Sequence, residues 1–338
     1  MRSRDSVIQG PAVDGESART IPERRSLPTS APEGVEAALP CLREKVRTLV
    51  SIAASNGSSI SSAELFLLLP SDTFVSPKGL EDFVSRDSSL QKEMVVSRSE
   101  IAFRGSEDLT RSRAEQVRQT ARRVRLAQYF ADRLVAICPW LRLVAISGST
   151  AYGGTKARDD IDFFVVTRRH RLWVTLLLAM VLAKIYRMRN SSVPVYCFNR
   201  ILDESQCPDA FRTLQEPLFA REALSLRVLK GQPFYRGLLQ SASWMEKVFP
   251  GLYHQASTEL HVTAPASADR EPRLWTIANW IAFASLAPYI TLASLLRNGR
   301  LQKAGNVDAR YRTIIRPGFF AYESRKFDLL RDAYRRAF

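Results

Sequence analysis

Apolar positions recur at helical spacing over Leu42, Val46, Leu49, Val50 and Ala53, which predicts a first helix. The run Ser55 to Ser59 is turn chemistry, and Ser61 or Ser62, with Glu64 in the next turn, can cap a second helix through the following LFLLL. Pro77 and Gly79 punctuate the chain before LEDFVSRD, a third short helix. Glu93 to Gly105 then reads as two short strands about a polar turn. Three helices followed by a hairpin predict a winged-helix-like domain over residues 37–106, although no basic recognition helix stands out in it. A long helix follows from Thr110 to Cys138, with Val117, Ala121, Val124, Ala127, Ala131 and Leu134 on one stripe and Pro139 as its stop. Leu141 to Ile146 is a short buried strand, TAYGG a helical turn, TKARD a polar loop, and Asp160 to Thr167 a second strand.

Leu172 to Ala183 carries no charge but is too short to cross a bilayer, so it reads as a buried core helix, and Val193 to Ile201 as a third strand. From Asp209 the pattern is helical, with Pro217 dividing two helices, Lys230-Gly231 as a helix stop, and a last amphipathic helix lined by Phe327, Leu330 and Tyr334. One stretch is ambiguous. Leu274 to Leu296 is uncharged and long enough to span a membrane, with Trp275, Trp280 and Tyr289 as interfacial aromatics and Arg297, Arg300 and Lys303 as a basic flank. Asn279, Ser285, Pro288, Thr291 and Ser294 dilute it, which favours a helix packed on the core over a span or an interfacial contact.

The chain's 338 residues suffice for two or three domains, and 46% hydrophobic with 25% charged residues excludes a wholly disordered protein. Residues 1–36, rich in Pro, Ser and Arg without apolar periodicity, read as a disordered leader lacking the apolar core of a secretory signal. Four cysteines without a CxxC pair and only three histidines argue against a zinc site or a disulfide scaffold, so a cytoplasmic location is expected, with membrane association through 274–296 as the alternative. The net charge of +15 points to a polyanionic partner (nucleoside triphosphate, nucleic acid or anionic lipid) or to a solvated Arg-rich surface. Arg111, Arg113, Arg118, Arg122, Arg123, Arg125 and Arg133 crowd the long helix against only Glu115 and Asp132, as a solvated face or as contacts to a phosphate or RNA backbone. His170, beside three Arg, reads as a surface residue.

The chemistry concentrates between the first two core strands. Gly148 lets the backbone approach a ligand closely, and Ser149 with the following amides opens a helical turn, where phosphate is favoured. Asp160 and Asp162, two apart on a strand, point to one face, an arrangement that binds Mg²⁺ or Mn²⁺. Phosphates beside such ions are the setting of in-line phosphoryl or nucleotidyl transfer.

Gly148-Ser149 followed by Asp160-Ile161-Asp162-Phe163, in a strand–turn–helix–strand context, resembles the GS…DhD signature of the polymerase-beta-like nucleotidyltransferase superfamily. The resemblance implies an α/β (α+β) fold: a minimal nucleotidyltransferase core with a mixed sheet at 107–204, here between the winged-helix-like domain and a helical C-terminal domain at 205–338. It further implies metal-dependent transfer of a nucleoside monophosphate from a nucleoside triphosphate to an acceptor. Gly148 and Ser149 would hold the triphosphate, and Asp160 and Asp162 the metal. A wider likeness, carried by PWLRLVAISGS, Arg171-Leu172-Trp173 and Cys197-Phe198-Asn199, extends to uncharacterised bacterial nucleotidyltransferase-domain proteins over about residues 40–230; it is one of architecture rather than activity.

The departure from the superfamily pattern concerns its third carboxylate, which lies on a later core strand. Asn199 stands where that acid is expected, and Asp203 lies just past the predicted strand end. Asp159 should face away from Asp160. Asp203 turns in as the third catalytic carboxylate, a substrate group replaces it, or transfer chemistry is lost. In the last case the chain is a nucleic-acid-binding or regulatory module with a degenerate core, in one version membrane-peripheral.

Overall fold

Two sheets organise the chain in a computed structural model, which describes residues 33–70, 73–157, 159–258, 273–305 and 310–338. The leader expected over 1–36 lies outside the described residues as far as residue 32. The first elements are α1 (Glu33–Ser55), β1 (Ile60–Ser61), α2 (Ser62–Leu68), α3 (Pro77–Arg86), α4 (Leu90–Glu93), β2 (Met94–Ser97) and β3 (Glu100–Phe103). Side-chain caps set two starts: the Ser61 hydroxyl accepts from Glu64 N, and Ser76, ahead of Pro77, accepts from Gly79 N. Arg98 and Ser99, both with positive φ, make the tight β2–β3 turn that suits the strand twist. The three strands pair in the order β1-β3-β2.

Next come α5 (Asp108–Ile137), β4 (Leu141–Ser147), α6 (Gly148–Ala151), β5 (Ile161–Thr167), α7 (Leu172–Arg189) and β6 (Tyr196–Asp203). They are followed by α8 (Cys207–Thr213), α9 (Pro217–Leu224), β7 (Arg227–Lys230), α10 (Gln232–Gln240), α11 (Trp244–Val248) and α12 (Pro250–Thr258). The last elements are α13 (Arg273–Lys303), β8 (Tyr311–Arg316), β9 (Phe319–Ser324) and α14 (Arg325–Ala337). The fold is mixed α/β. Its six-stranded sheet runs β7-β4-β5-β6-β9-β8, with β5 and β6 parallel across α7 and every other pair antiparallel.

The C-terminal segment, expected to be helical, supplies β7, β8 and β9 to this sheet. β7 is too short to display alternation. Gly231, read as a helix stop, follows that strand with φ +87°, and a Cβ there would fall 1.9 Å from Arg142 O, so only glycine lets the chain pass β4 so closely.

Every other residue of β5 faces each side of the sheet. Ile161, Phe163 and Val165 pack with Phe130 of α5, Trp173 of α7 and Leu286 of α13. Phe164 and Val166 join the opposite core, which holds Leu218 and Tyr235 together with Val46 and Ile101 from the first elements. The three segments expected as domains therefore share a core within one compact unit, Cys41–Phe338, and Met1–Pro40 is the other unit.

Three helices depart from the burial the sequence predicts. In the first half of α5 the buried face is polar, Gln116, Thr120 and Arg123, while Val117 is 51% exposed. α13 forms as expected but is not a core helix: Asn279, Ala282, Leu286 and Ile290 are its buried stripe, and Ile281, Leu292 and Leu295 stand exposed. α7 is buried through Leu176 and at Ala179, but Val181, Ile185 and Met188 face outward.

Candidate active site

The end of β4 brings the glycine and the aspartates together. Ser147 pairs with Asp162 across the β4–β5 ladder, so Gly148 leaves the strand directly beside the Asp162 carboxyl. Its φ is +66°, and a Cβ there would lie 2.6 Å from Asp162 Oδ2. Glycine is thus required twice, by backbone conformation and by the carboxylate. Asp160 immediately precedes β5 rather than lying on it, yet both aspartates line the same cleft of about 750 Å³, with Gly148, Ser149 and Asn199. Asp159 also reaches this cleft, contrary to the expectation that it faces away: its Oδ2 accepts from Ser149 Oγ (3.1 Å) and from Lys156 N (2.8 Å).

Desolvation outweighs the nearby cations in setting the electrostatics. The Asp162 carboxyl is pushed up to about 7, by burial first and then by the charge of Asp160, against the donation from Asn199. Asp160 is also raised, by desolvation and by Asp159, while Arg123 opposes. Asn199 Nδ2 donates to Asp162 Oδ1 at 2.5 Å. The Cys197 thiol, held protonated by burial at about 12, donates to Asn199 Oδ1 and so fixes which end of the amide faces the aspartate. Asn199 therefore orients Asp162; it cannot take a proton.

Asp203 does not join the site. It is the last residue of β6, paired with Thr167 at the opposite end of the ladder from the Asp162–Cys197 pair. Its carboxylate is engaged there, accepting from His170 N (2.8 Å) and from the backbone and hydroxyl of Ser205. The strand runs two residues longer than its predicted end, which carries Asp203 away along the ladder.

A different carboxylate occupies the cleft. Glu222, on α9, lines it together with Asp162 and Asn199 and adds to the raised proton affinity of Asp162. Burial raises Glu222 itself, while the donated Tyr152 hydroxyl and the charges of Arg221 and Arg200 hold it down. Its one sequence signal was an Arg-Glu pair on an otherwise buried helix: Leu218, Ala220, Arg221, Ala223 and Leu224 are all buried around it. Lys156, Arg297 and Lys326 give the cleft a cationic rim, and Arg297 stacks 4.5 Å over the Tyr311 ring.

Two of the α5 arginines are structural. Arg123, 4% exposed, donates to Asp159 O, Lys156 O (3.0 Å) and Ala157 O (2.8 Å), pinning the loop that delivers the aspartates. Arg113 donates to Gly153 O and Ser58 Oγ and pairs with Glu100. Arg111, Arg118, Arg122, Arg125 and Arg133 remain on the exposed face.

Among the described residues no group of three or more His, Cys, Asp or Glu side chains is set to hold a metal ion. The donors present still suit a hard cation. Asp160 and Asp162 are neighbouring carboxylates, both raised in proton affinity, and the missing Cβ of Gly148 keeps open the space beside Asp162 Oδ2. Mg²⁺ is commonly held by one or two carboxylates with substrate phosphates and water completing its shell.

No family model matches the chain, and comparison with curated proteins and with solved structures finds no match.

Proposed function

We propose that the chain is a Mg²⁺-dependent nucleotidyltransferase that moves a nucleoside monophosphate from a nucleoside triphosphate to an acceptor. The observation that carries this reading is the juxtaposition of a left-handed Gly148, Ser149, Asp160 and Asp162 in one cleft with a cationic rim. The strand–turn–strand order around them and the helices and hairpin of α1–β3 agree with the minimal core and the winged-helix-like domain that the sequence resembles.

In this reading Ser149 and the cationic rim, Lys156, Arg297 and Lys326, orient the triphosphate. Asp160 and Asp162 would hold a cation, which supplies charge stabilisation to the phosphates when bound. The acceptor oxygen attacks the α-phosphorus, the bond from that phosphorus to the β-phosphate bridging oxygen breaks, and pyrophosphate leaves. Glu222, whose burial raises its proton affinity, takes the acceptor's proton in place of the missing third strand carboxylate.

Asn199 in the third-acid position favours one second reading, a nucleic-acid-binding or regulatory module with a degenerate core. Isothermal titration of the four nucleoside triphosphates with Mg²⁺ separates the two. Asp160→Ala with Asp162→Ala is expected to weaken Mg²⁺-dependent nucleotide binding by at least about ten-fold, and Glu222→Gln to spare binding while cutting turnover by about 10²-fold or more. Nucleotide binding unchanged by the double substitution, with salt-sensitive RNA or DNA binding retained, would overturn the enzyme reading.

A further inference from the structure

α7 and α13 lie side by side over the sheet, and their outward stripes form one exposed apolar face. On α13, Ile277, Ile281, Leu292 and Leu295 lie opposite its buried stripe and are each 58% to 64% exposed. On α7, Val181 and Ile185 continue the face at 49% and 40%. A surface helix of a soluble protein carries charge on its solvent side, yet from Leu274 to Leu296 there is none. Neither helix contains an acidic residue, and both end in basic ones: Lys184, Arg187 and Arg189 on α7, Arg300 and Lys303 on α13.

We propose that this face seats on an anionic lipid bilayer, with α7 and α13 lying along the surface rather than crossing it. α13 is long and apolar enough to cross a membrane, but a span would pull Ala282, Leu286 and Ile290 out of the core. It would also break the bond that Trp173 N donates to Asn279 Oδ1 (2.8 Å) and the pair exchanged between Asn298 and the Tyr311 backbone. An acid-free apolar face flanked by basic residues complements an acidic headgroup layer better than a neutral one. α13 brings its last third to the cleft, which Ser294 and Arg297 line, and Arg297 and the α7 residue Arg187 both act on Asp160. Seated in this way, the protein holds the cleft mouth at headgroup level.

Co-sedimentation of the full chain with vesicles of phosphatidylcholine mixed with phosphatidylglycerol, against phosphatidylcholine alone, tests the seat independently of any transferase activity. Binding is expected only to the mixed vesicles and to fall as salt is raised. Arg300→Glu with Lys303→Glu, exposed and outside the core, is expected to lower it by about five-fold or more per residue. Ile281→Glu with Leu292→Glu is expected to abolish it while the melting temperature is kept. Absence of binding to the mixed vesicles overturns the proposal, as does binding indifferent to both double substitutions. A solution mass of two chains that Ile281→Glu with Leu292→Glu reduces to one, without vesicle binding, overturns it in favour of a second copy on this face.

Discussion

Replacing Asp162 by asparagine is expected to stabilise the metal-free protein at alkaline pH while it removes Mg²⁺-dependent turnover. The native carboxyl titrates at about 7 against an ordinary 3.8, because burial and Asp160 disfavour its charged form. A group whose proton affinity is raised on folding contributes stability that is full below its unfolded value and is lost as pH rises through its folded value. Between about pH 4 and pH 7, then, the native state gives up at most about 4 kcal/mol through this one residue. Asparagine has nothing to ionise, and its Oδ1 still accepts from Asn199 Nδ2, so the variant keeps the hydrogen bond and escapes the cost. Thermal or denaturant melts in a chelator at about pH 5 and about pH 8 would show the variant's advantage over wild type larger at the higher value, by up to about 3 kcal/mol. Asp160 and Glu222, also raised, leave a residual slope in both proteins. The gain should disappear when Mg²⁺ and nucleotide are added, since binding to the native state alone returns the lost stability to wild type. An equal difference at both pH values would mean that Asp162 is not the uncompensated charge the cleft is built around. Such an exchange of stability for function is expected wherever a site must hold charge in reserve for a ligand.

Gly148, Ser149, Asp160 and Asp162 were legible in the sequence because their arrangement is local: one strand end, one turn and one strand start carry all four. What was not legible depends on distant chain. Asp203 seemed a candidate because it is near Asn199 in sequence, but the parallel register sets it against Thr167, at the far end of the ladder. Glu222 enters the cleft from α9, an element whose own pattern says only that it is buried. β7 and the β8–β9 hairpin complete a sheet whose first three strands end well before them: β7, a four-residue edge strand, is too short for alternation to outweigh neighbouring helical periodicity, and the six-residue β8 (YRTIIR) and β9 (FFAYES) show no clean apolar–polar alternation. The uncharged run in α13 left three readings open. Asn279, counted as a dilution of a span, is the residue that binds the α7 backbone and fixes which stripe is buried.

Arg123→Met is expected to cost about 2–4 kcal/mol of stability and to weaken nucleotide binding further than that loss explains. In sequence Arg123 is one of several arginines on a basic helix. In the fold its guanidinium is buried on the polar half of the α5 stripe, with three backbone carbonyls of the 156–159 loop as acceptors. Burial lowers its proton affinity and the charges of Asp159 and Asp160 raise it, so it also partly offsets the negative charge of the cleft. Methionine fills similar volume but donates nothing. Lys156 and Ala157 are exposed, so their freed carbonyls can turn to water, which limits the cost in stability and moves the loop instead. That movement carries Asp159 away from Ser149 and Asp160 away from Asp162. Lysine should rescue little, since one ammonium cannot reproduce a planar fork reaching three carbonyls. Denaturant unfolding alongside Mg²⁺-dependent nucleotide titration checks both halves. If Arg123→Met folds with reduced stability but binds nucleotide as wild type does, the arginine serves the fold alone. If stability holds and binding falls, its charge rather than its grip on the loop is what the cleft requires, and Arg123→Lys should then restore binding.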